Sequence, residues 1–238
     1  AGGETNVSTG YHAIEFLLWG QDQSPDASGG DRTYKDYIVG GPVSNADRRV
    51  AYINAVAGLL VSDLQSLAEE WAPGSAFRSD FTAAENANTS LEKVLTGLGK
   101  LCKGELSGER MFVAWDFKSK EDEHSCFSDN THRDIVANTI GIENVYYGRY
   151  ISVDGTIVDG TGLDEIAETL NPALNAQMKA LLAASGDAVK AIQAPFDQEI
   201  LGADTAPGRV RVKTAIDAIR AQGDKFAEIV VSLGYKTS

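Results

Sequence analysis

Val50-Ala51-Tyr52-Ile53-Asn54-Ala55-Val56-Ala57-Gly58-Leu59-Leu60-Val61-Ser62-Asp63-Leu64-Gln65-Ser66-Leu67 sets an apolar stripe at Val50, Ile53, Ala57, Leu60, Leu64 and Leu67. Steps of three and four residues are the period of an α-helix, so one face of this stretch is apolar. Ser44 or Asn45 supplies a cap upstream. Downstream, Trp71-Ala72-Pro73-Gly74 ends the run, because a proline ring cannot continue the helix.

The same period extends outward in both directions. Ile14, Leu17 and Leu18 follow candidate caps at Ser8 or Thr9, and a Gly-, Ser-, Asp- and Pro-rich loop runs from Gly20 to about Pro42. Further helices are predicted over Ser79–Cys102, Ser107 to about Phe117, Thr131 to about Tyr150, Leu163–Ala184, Asp187 to about Leu201, and Val210–Leu233. The tandem Ser152-Val153-Asp154-Gly155 and Ile157-Val158-Asp159-Gly160 reads as turns or a short hairpin, and Gly202–Gly208 as a loop. Few segments alternate with period two, which excludes a substantial sheet. The expected class is all-α, built of antiparallel helical bundles.

Composition narrows the function. The 238 residues suffice for a sizeable core, and 21 basic against 34 acidic residues give a net charge of −13. That surplus repels phosphate backbones, so no nucleic acid is expected as a partner. No apolar run was expected to span a bilayer, hence a chain that is not transmembrane. Because the sequence opens on Ala1, a removed leader and a longer precursor are both expected. Cys102 and Cys126 are either two buried thiols or one disulfide closing a loop of about 25 residues, worth roughly 3–4 kcal/mol on the chain-entropy model. The disulfide, which implies an oxidising compartment, is the expectation adopted.

With only three histidines, each is informative. His12 and Glu15 stand three residues apart, about 60° around a helix, so imidazole and carboxylate face one way and can meet one cation. Imidazole suits zinc, iron or copper, and the carboxylate oxygen favours iron or zinc. Alone, His-x-x-Glu is more commonly a surface hydrogen bond; its neighbours Phe16, Leu17, Leu18 and Trp19 argue for partial burial.

The second constellation runs from Glu121 to Asp134 and holds Glu123, His124, Ser125, Asp129 and His132. Its simplest reading is a helix start, with Thr131 as cap and Asp134 three residues on. Glu143, 11 residues after His132, lies about 20° away on the same helix face, which would let the two share a buried site. Glu109 and Arg110 would supply an ion pair to this cluster. A His-Glu-x-x-His helix, a Gly-x-Ser-x-Gly elbow and a Walker loop are all missing from the sequence. Tyr146, Tyr147 and Tyr150 read as packing.

Gly10-Tyr11-His12-Ala13-Ile14-Glu15-Phe16-Leu17-Leu18-Trp19-Gly20-Gln21-Asp22 resembles the signature of the imelysin family (peptidase family M75), marked by Gly-x-His-x-x-Glu. Glu123 to His132 resembles a second block of its iron-regulated protein A-like branch, and the likeness runs over essentially the whole chain. The resemblance implies two helical-bundle halves. It also implies an exported protein, often a lipoprotein, in the periplasm or at the outer membrane or cell surface, linked to iron uptake.

Family members carry helices upstream of the motif, so this chain is expected to be the C-terminal part of a precursor. An N-terminal fragment of that precursor, or a second chain, would complete the domain. Within the chain, 1–42 is expected to be motif helix plus loop and 43–238 a helical bundle. The leading reading is an iron-binding envelope protein working with iron-transport components. His12, Glu15, His124 and His132 are its candidate ligands, with Gly10, Glu109, Arg110, Glu123, Ser125, Asp129 and Glu143 lining the site. The alternatives are a zinc metallopeptidase with Glu15 as base, and a non-catalytic module binding peptide or protein.

Overall fold

The computed structural model describes residues 8–24 and 28–234. Helix α1 (Tyr11–Trp19) begins after Gly10, whose φ of 86° is cheap only for glycine. Gly10 occupies the cap position expected for Ser8 or Thr9. The following loop contains one 3₁₀ turn, Tyr34–Tyr37, capped by Thr33. Helix α2 (Ala46–Glu70) starts at Asn45, which takes a left-handed conformation. Trp71 ends it and meets Phe77 and Phe81 edge-on, at 5.0 and 5.2 Å between ring centroids. Both rings belong to α3 (Ala76–Phe81), which the Ser75 hydroxyl caps by accepting from Arg78 N–H.

These elements and residues 125–129 form one unit; residues 88–124 and 130–234 form the other. The expected division at 42/43 therefore falls at 87/88. Tertiary bonds explain the shift: Arg49 Nη1 donates to the Asp36 carbonyl at 3.4 Å, and Tyr37 donates its hydroxyl to the Leu17 carbonyl. Together they fasten α2 to the loop and to α1. The most apolar 18-residue window of α2 has a mean hydropathy of 1.3, long and apolar enough by length and composition to cross a membrane, contrary to the expectation from sequence. Only 6% of that window is buried.

The second unit is a bundle of long rods. The first rod runs without a break through α4 (Ala87–Lys100), a π-helix (Leu101–Phe112) and α5 (Val113–Phe117). Two helices were expected, one ending at Cys102 and the next starting at Ser107. Instead the wider register carries the chain across Gly104 and Gly108, placing Cys102, Leu106, Ser107 and Met111 in the core. Helix α6 (Thr131–Tyr147) is followed by the hairpin β1 (Arg149–Ile151) and β2 (Ile157–Asp159), paired antiparallel with Tyr150 opposite Val158.

Next come α7 (Leu163–Leu170) and α8 (Pro172–Lys190), which sequence periodicity had merged. Pro172 starts the new helix, and Asn171 Oδ1 accepts from Leu174 N–H at 3.1 Å. Short α9 (Phe196–Glu199) precedes α10 (Pro207–Ser232), which packs on α8 and the π-helix. Leu95, Leu106, Ile142, Met178, Leu182, Ile219 and Phe226 fill the core between the rods.

No disulfide joins Cys102 and Cys126. Cys102 is wholly buried among these core residues, with Gln222 Nε2 3.5 Å from its Sγ. Burial pushes the thiol up to about 12, so it stays protonated and unreactive. The adopted expectation of a disulfide is thus overturned.

Candidate functional site

In the first unit α1 carries His12 and Glu15 on one face, one turn apart. His12 Nδ1 lies 2.8 Å from Glu15 Oε2. The other carboxylate oxygen, Oε1, accepts twice from Ser128: from its backbone N–H at 2.9 Å and its hydroxyl at 2.6 Å. Burial works against ionising Glu15, but the bonds from His12 and Ser128 outweigh it and hold the carboxyl below its ordinary value. An ionised carboxylate only accepts, so the shared proton sits on His12 Nδ1. The side chain of His12 is 42% exposed and that of Glu15 11%, so the pair offers solvent an imidazole backed by a shielded anion.

Neighbouring loops fix this geometry. Phe127 meets Phe16 edge-on at 5.0 Å, and Gly30 N–H donates to the Phe127 carbonyl at 2.8 Å. Arg32 N–H donates to the Trp19 carbonyl at 2.9 Å, and its guanidinium lies 5.4 Å from the Phe16 ring centre. Glycine at position 30 is a steric requirement, since a Cβ there would stand 2.4 Å from the Trp19 carbonyl oxygen. Asp129 has a φ of 54°, a left-handed conformation that aspartate tolerates. It therefore helps form the turn that presents Ser128, and it is itself buried. Asp22 is buried too, with Oδ1 accepting from Ser24 N–H at 2.8 Å.

The sequence reading had not chosen Ser128, although it lies inside the second block. A serine 113 residues from Glu15 carries no local signal of that contact. Ser125, like Asp129, is buried in this unit. Gly10 contributes through its φ at the helix start.

Glu123, His124, His132, Glu143, Glu109 and Arg110 belong to the second unit. Glu123 is buried, and His124 Nδ1 lies 3.9 Å from Asp134 Oδ2. His132 sits in the first turn of α6 with its Nδ1 buried. Asn130, not Thr131, is at the cap position, and Thr131 is buried as the first helical residue. Glu143 does not share a site with His132. They lie on one helix, but 11 residues of rise separate them by about 16 Å. Glu143 instead lines a polar cavity with Asn144, Tyr147, Arg149 and Asp159, where burial raises its carboxyl. Arg110 pairs with Glu105 on its own helix at 3.5 Å, both exposed, so the ion pair expected to serve the histidine cluster is spent locally. Among the described residues, no group of three or more His, Cys, Asp or Glu side chains is placed to hold a metal ion.

Comparison with known proteins gives one family. The family model Imelysin (Peptidase M75) matches residues 1–226. No curated protein matches. Among solved structures, a candidate iron-regulated protein A precursor from Parabacteroides distasonis is similar with a TM-score of 0.70 and 19% identity, over 98% of this chain and 67% of that one. An imelysin peptidase from Bacteroides ovatus is similar at 0.55 and 17% identity, over 94% of this chain and 56% of that one. The chain thus spans about two thirds and little more than half of the lengths of these two. These likenesses share the helical fold, and the family match covers nearly the whole sequence: the chain belongs to the imelysin family.

Proposed function

We propose that this imelysin-family chain is part of a cell-envelope protein that binds iron as cargo, and that His12 receives the ion through Nε2. The observation behind this reading is the hydrogen-bonded series Ser128–Glu15–His12. Metal-binding histidines characteristically donate their second ring N–H to a carboxylate, which fixes the tautomer and raises the basicity of the other nitrogen. Here the carboxylate is anionic, shielded and held on both oxygens.

The donor chemistry suits ferrous iron or zinc. The number of donors does not suit a resident metal: one imidazole and one carboxylate fall short of the three protein ligands of a catalytic zinc. An exchangeable ion, with water or further protein groups completing its shell, fits better. Iron is favoured over zinc by the name of the Parabacteroides neighbour, an iron-regulated protein A precursor. Envelope location, the role in iron uptake, and transport components as partners belong to the same proposal. The peptidase reading would make Glu15 a base, yet both its oxygens are engaged by His12 and Ser128. Glu15 is better cast as the residue that orients His12.

Anaerobic calorimetric titration with ferrous ion, and in parallel with zinc ion, tests the reading. One ion should bind the parent, and His12→Ala should weaken binding at least tenfold. Glu15→Gln should weaken it about 10–100-fold, the cost of losing an orienting partner. Parent-like binding by His12→Ala would remove His12 as ligand, and no binding of either metal would leave the non-catalytic binding module.

A further inference from the structure

In the second unit, the end of α6 and the hairpin bound a cavity of about 520 Å³ lined by Glu143, Asn144, Tyr147, Arg149, Ile151 and Asp159. Glu143 and Tyr147 stand one turn apart on α6 and share a face. Arg149 lies opposite Asp159 in the hairpin register, and Ile151 follows Arg149 by two, so these three share a face as well. Glycines set the geometry. Gly148 ends α6 with a φ of 61°, and a Cβ there would stand 2.7 Å from the Gly160 carbonyl oxygen. Gly186 of α8 leaves room for the Glu143 carboxyl, whose Oε1 would be only 3.1 Å from a Cβ at that position.

The polar groups around this cavity are not spent on one another. Among the described residues, none forms a hydrogen bond or ion pair with the side chains of Glu143, Asn144, Arg149 or Asp159, or with the Tyr147 hydroxyl. Opposite charges facing each other across a hairpin ordinarily pair, yet Arg149 and Asp159 do not. Elsewhere in this unit Lys179–Asp164, Lys213–Asp217 and Lys225–Glu228 close to 2.9, 2.7 and 2.6 Å. Lys190 attracts Glu143, but burial still raises the Glu143 carboxyl, so a further cation or N–H donor beside it would be stabilising.

We propose that this cavity binds a small zwitterion, a free α-amino acid. The Arg149 guanidinium takes the carboxylate through parallel N–H bonds. Glu143 and Asp159 accept from the ammonium, and Ile151 offers an apolar wall to the ligand's side chain. The mixture of charges selects this class. A simple cation would meet Arg149, a simple anion would meet two carboxyls, and a neutral sugar would leave every charge without a counter-charge. The volume falls in the range of small-molecule pockets. All the groups belong to the second unit, so the inference is independent of metal binding at His12.

Nitrogen-15 NMR of the chain tests it. Added singly at about 10 mM, enough to fill a millimolar site, at least one of the protein amino acids should shift the backbone amides of Asn144, Tyr147, Arg149, Ile151 and Asp159 in a saturable titration. Its N-acetyl derivative, which lacks the ammonium, and its amide, which lacks the carboxylate, should bind at least tenfold more weakly. Arg149→Gln and Glu143→Gln should each weaken the amino acid at least tenfold, and Arg149→Gln should not weaken the amide derivative further. The comparison of derivatives uses the unsubstituted chain and so holds even if a variant fails to fold.

The absence of a saturable shift with any amino acid overturns the proposal. So do derivatives that bind as tightly as their parent amino acid, because one charge would then suffice. Unchanged binding by Arg149→Gln also overturns it, by removing the guanidinium from the site. Saturation by N-acetylglucosamine and by no amino acid would assign the cavity to a sugar instead.

Discussion

Ser128 grips Glu15 twice on the same oxygen, with its N–H at 2.9 Å and its hydroxyl at 2.6 Å, leaving Oε2 to His12. A loop distant in sequence thereby determines which way a helical carboxylate points, and the carboxylate orients the His12 ring. Removing the hydroxyl should be felt at both steps. Ser128→Ala keeps the backbone bond and loses the shorter one, so about 1–2 kcal/mol of stability should go, as expected for a hydrogen bond to a charged group. Urea denaturation measures the loss, and an unchanged midpoint would mean the hydroxyl contributes nothing.

The carboxyl of Glu15 should titrate below the ordinary glutamate range, because the bonds from His12 and Ser128 prevail over burial. Its folded value lies under its unfolded one, so the unfolded chain takes up the proton first as pH falls. The stabilisation is fully present above the ordinary glutamate range and is lost as pH falls through the depressed folded value. Carbon-13 NMR of the side-chain carboxyl should show the low midpoint, and Ser128→Ala should raise it. A midpoint at or above the ordinary value would contradict the hydrogen-bond assignment.

Cys102 should resist reagents until the protein unfolds, since its thiol is pushed up to about 12 inside the core. In native protein at pH 8, without reductant, Cys102 should take up no iodoacetamide within hours. After denaturation, still without reductant, both cysteines should be alkylated, because no disulfide joins them. An intact mass two hydrogens short, with no alkylation, would show a bond between Cys102 and Cys126.

Arg209 is 2% exposed and ties three segments together. Its Nη1 donates to the Trp115 carbonyl at 2.6 Å and the Ile200 carbonyl at 2.7 Å, its Nε and Nη2 reach Asp204, and its guanidinium lies 4.2 Å from the Trp115 ring centre. Arg209→Ala strands the buried Ile200 carbonyl and the part-buried Trp115 carbonyl and leaves a cavity. The loss should be about 3 kcal/mol or more, read from thermal or urea unfolding of the second unit. Arg209→Lys should recover only part of it, because one ammonium cannot copy the planar fork. A loss under about 1 kcal/mol would show that this cluster does not hold the bundle end.

Gly30→Ala should disturb the loop that meets the end of α1, because the new methyl would stand 2.4 Å from the Trp19 carbonyl oxygen. Destabilisation of about 1–3 kcal/mol is expected from such overpacking. Amide exchange of α1 should rise in this variant and not in Gly97→Ala, where no atom lies within 4 Å of the added carbon. Equal exchange in both would mean that the close approach is easily relieved.

Local spacing was enough to read most helices, the turn at Ser152–Gly155, and the shared face of His12 and Glu15. Each depends on residues a few positions apart, where the helical period alone governs direction. The same reasoning failed for Glu143 and His132: angle around a helix can be counted from sequence, but the rise along it separates the two. It also broke the first rod between Cys102 and Ser107, where tertiary packing sustained a π register that propensity does not favour.

Sequence alone determined an all-α chain of the imelysin family with a histidine and a carboxylate one turn apart, because side-chain period and short-range order are local properties. Only the tertiary structure decided that Ser128 anchors Glu15 and that Cys102 is a core thiol. Those outcomes depend on which distant segments meet and which atoms lose water, and no spacing along the chain encodes that.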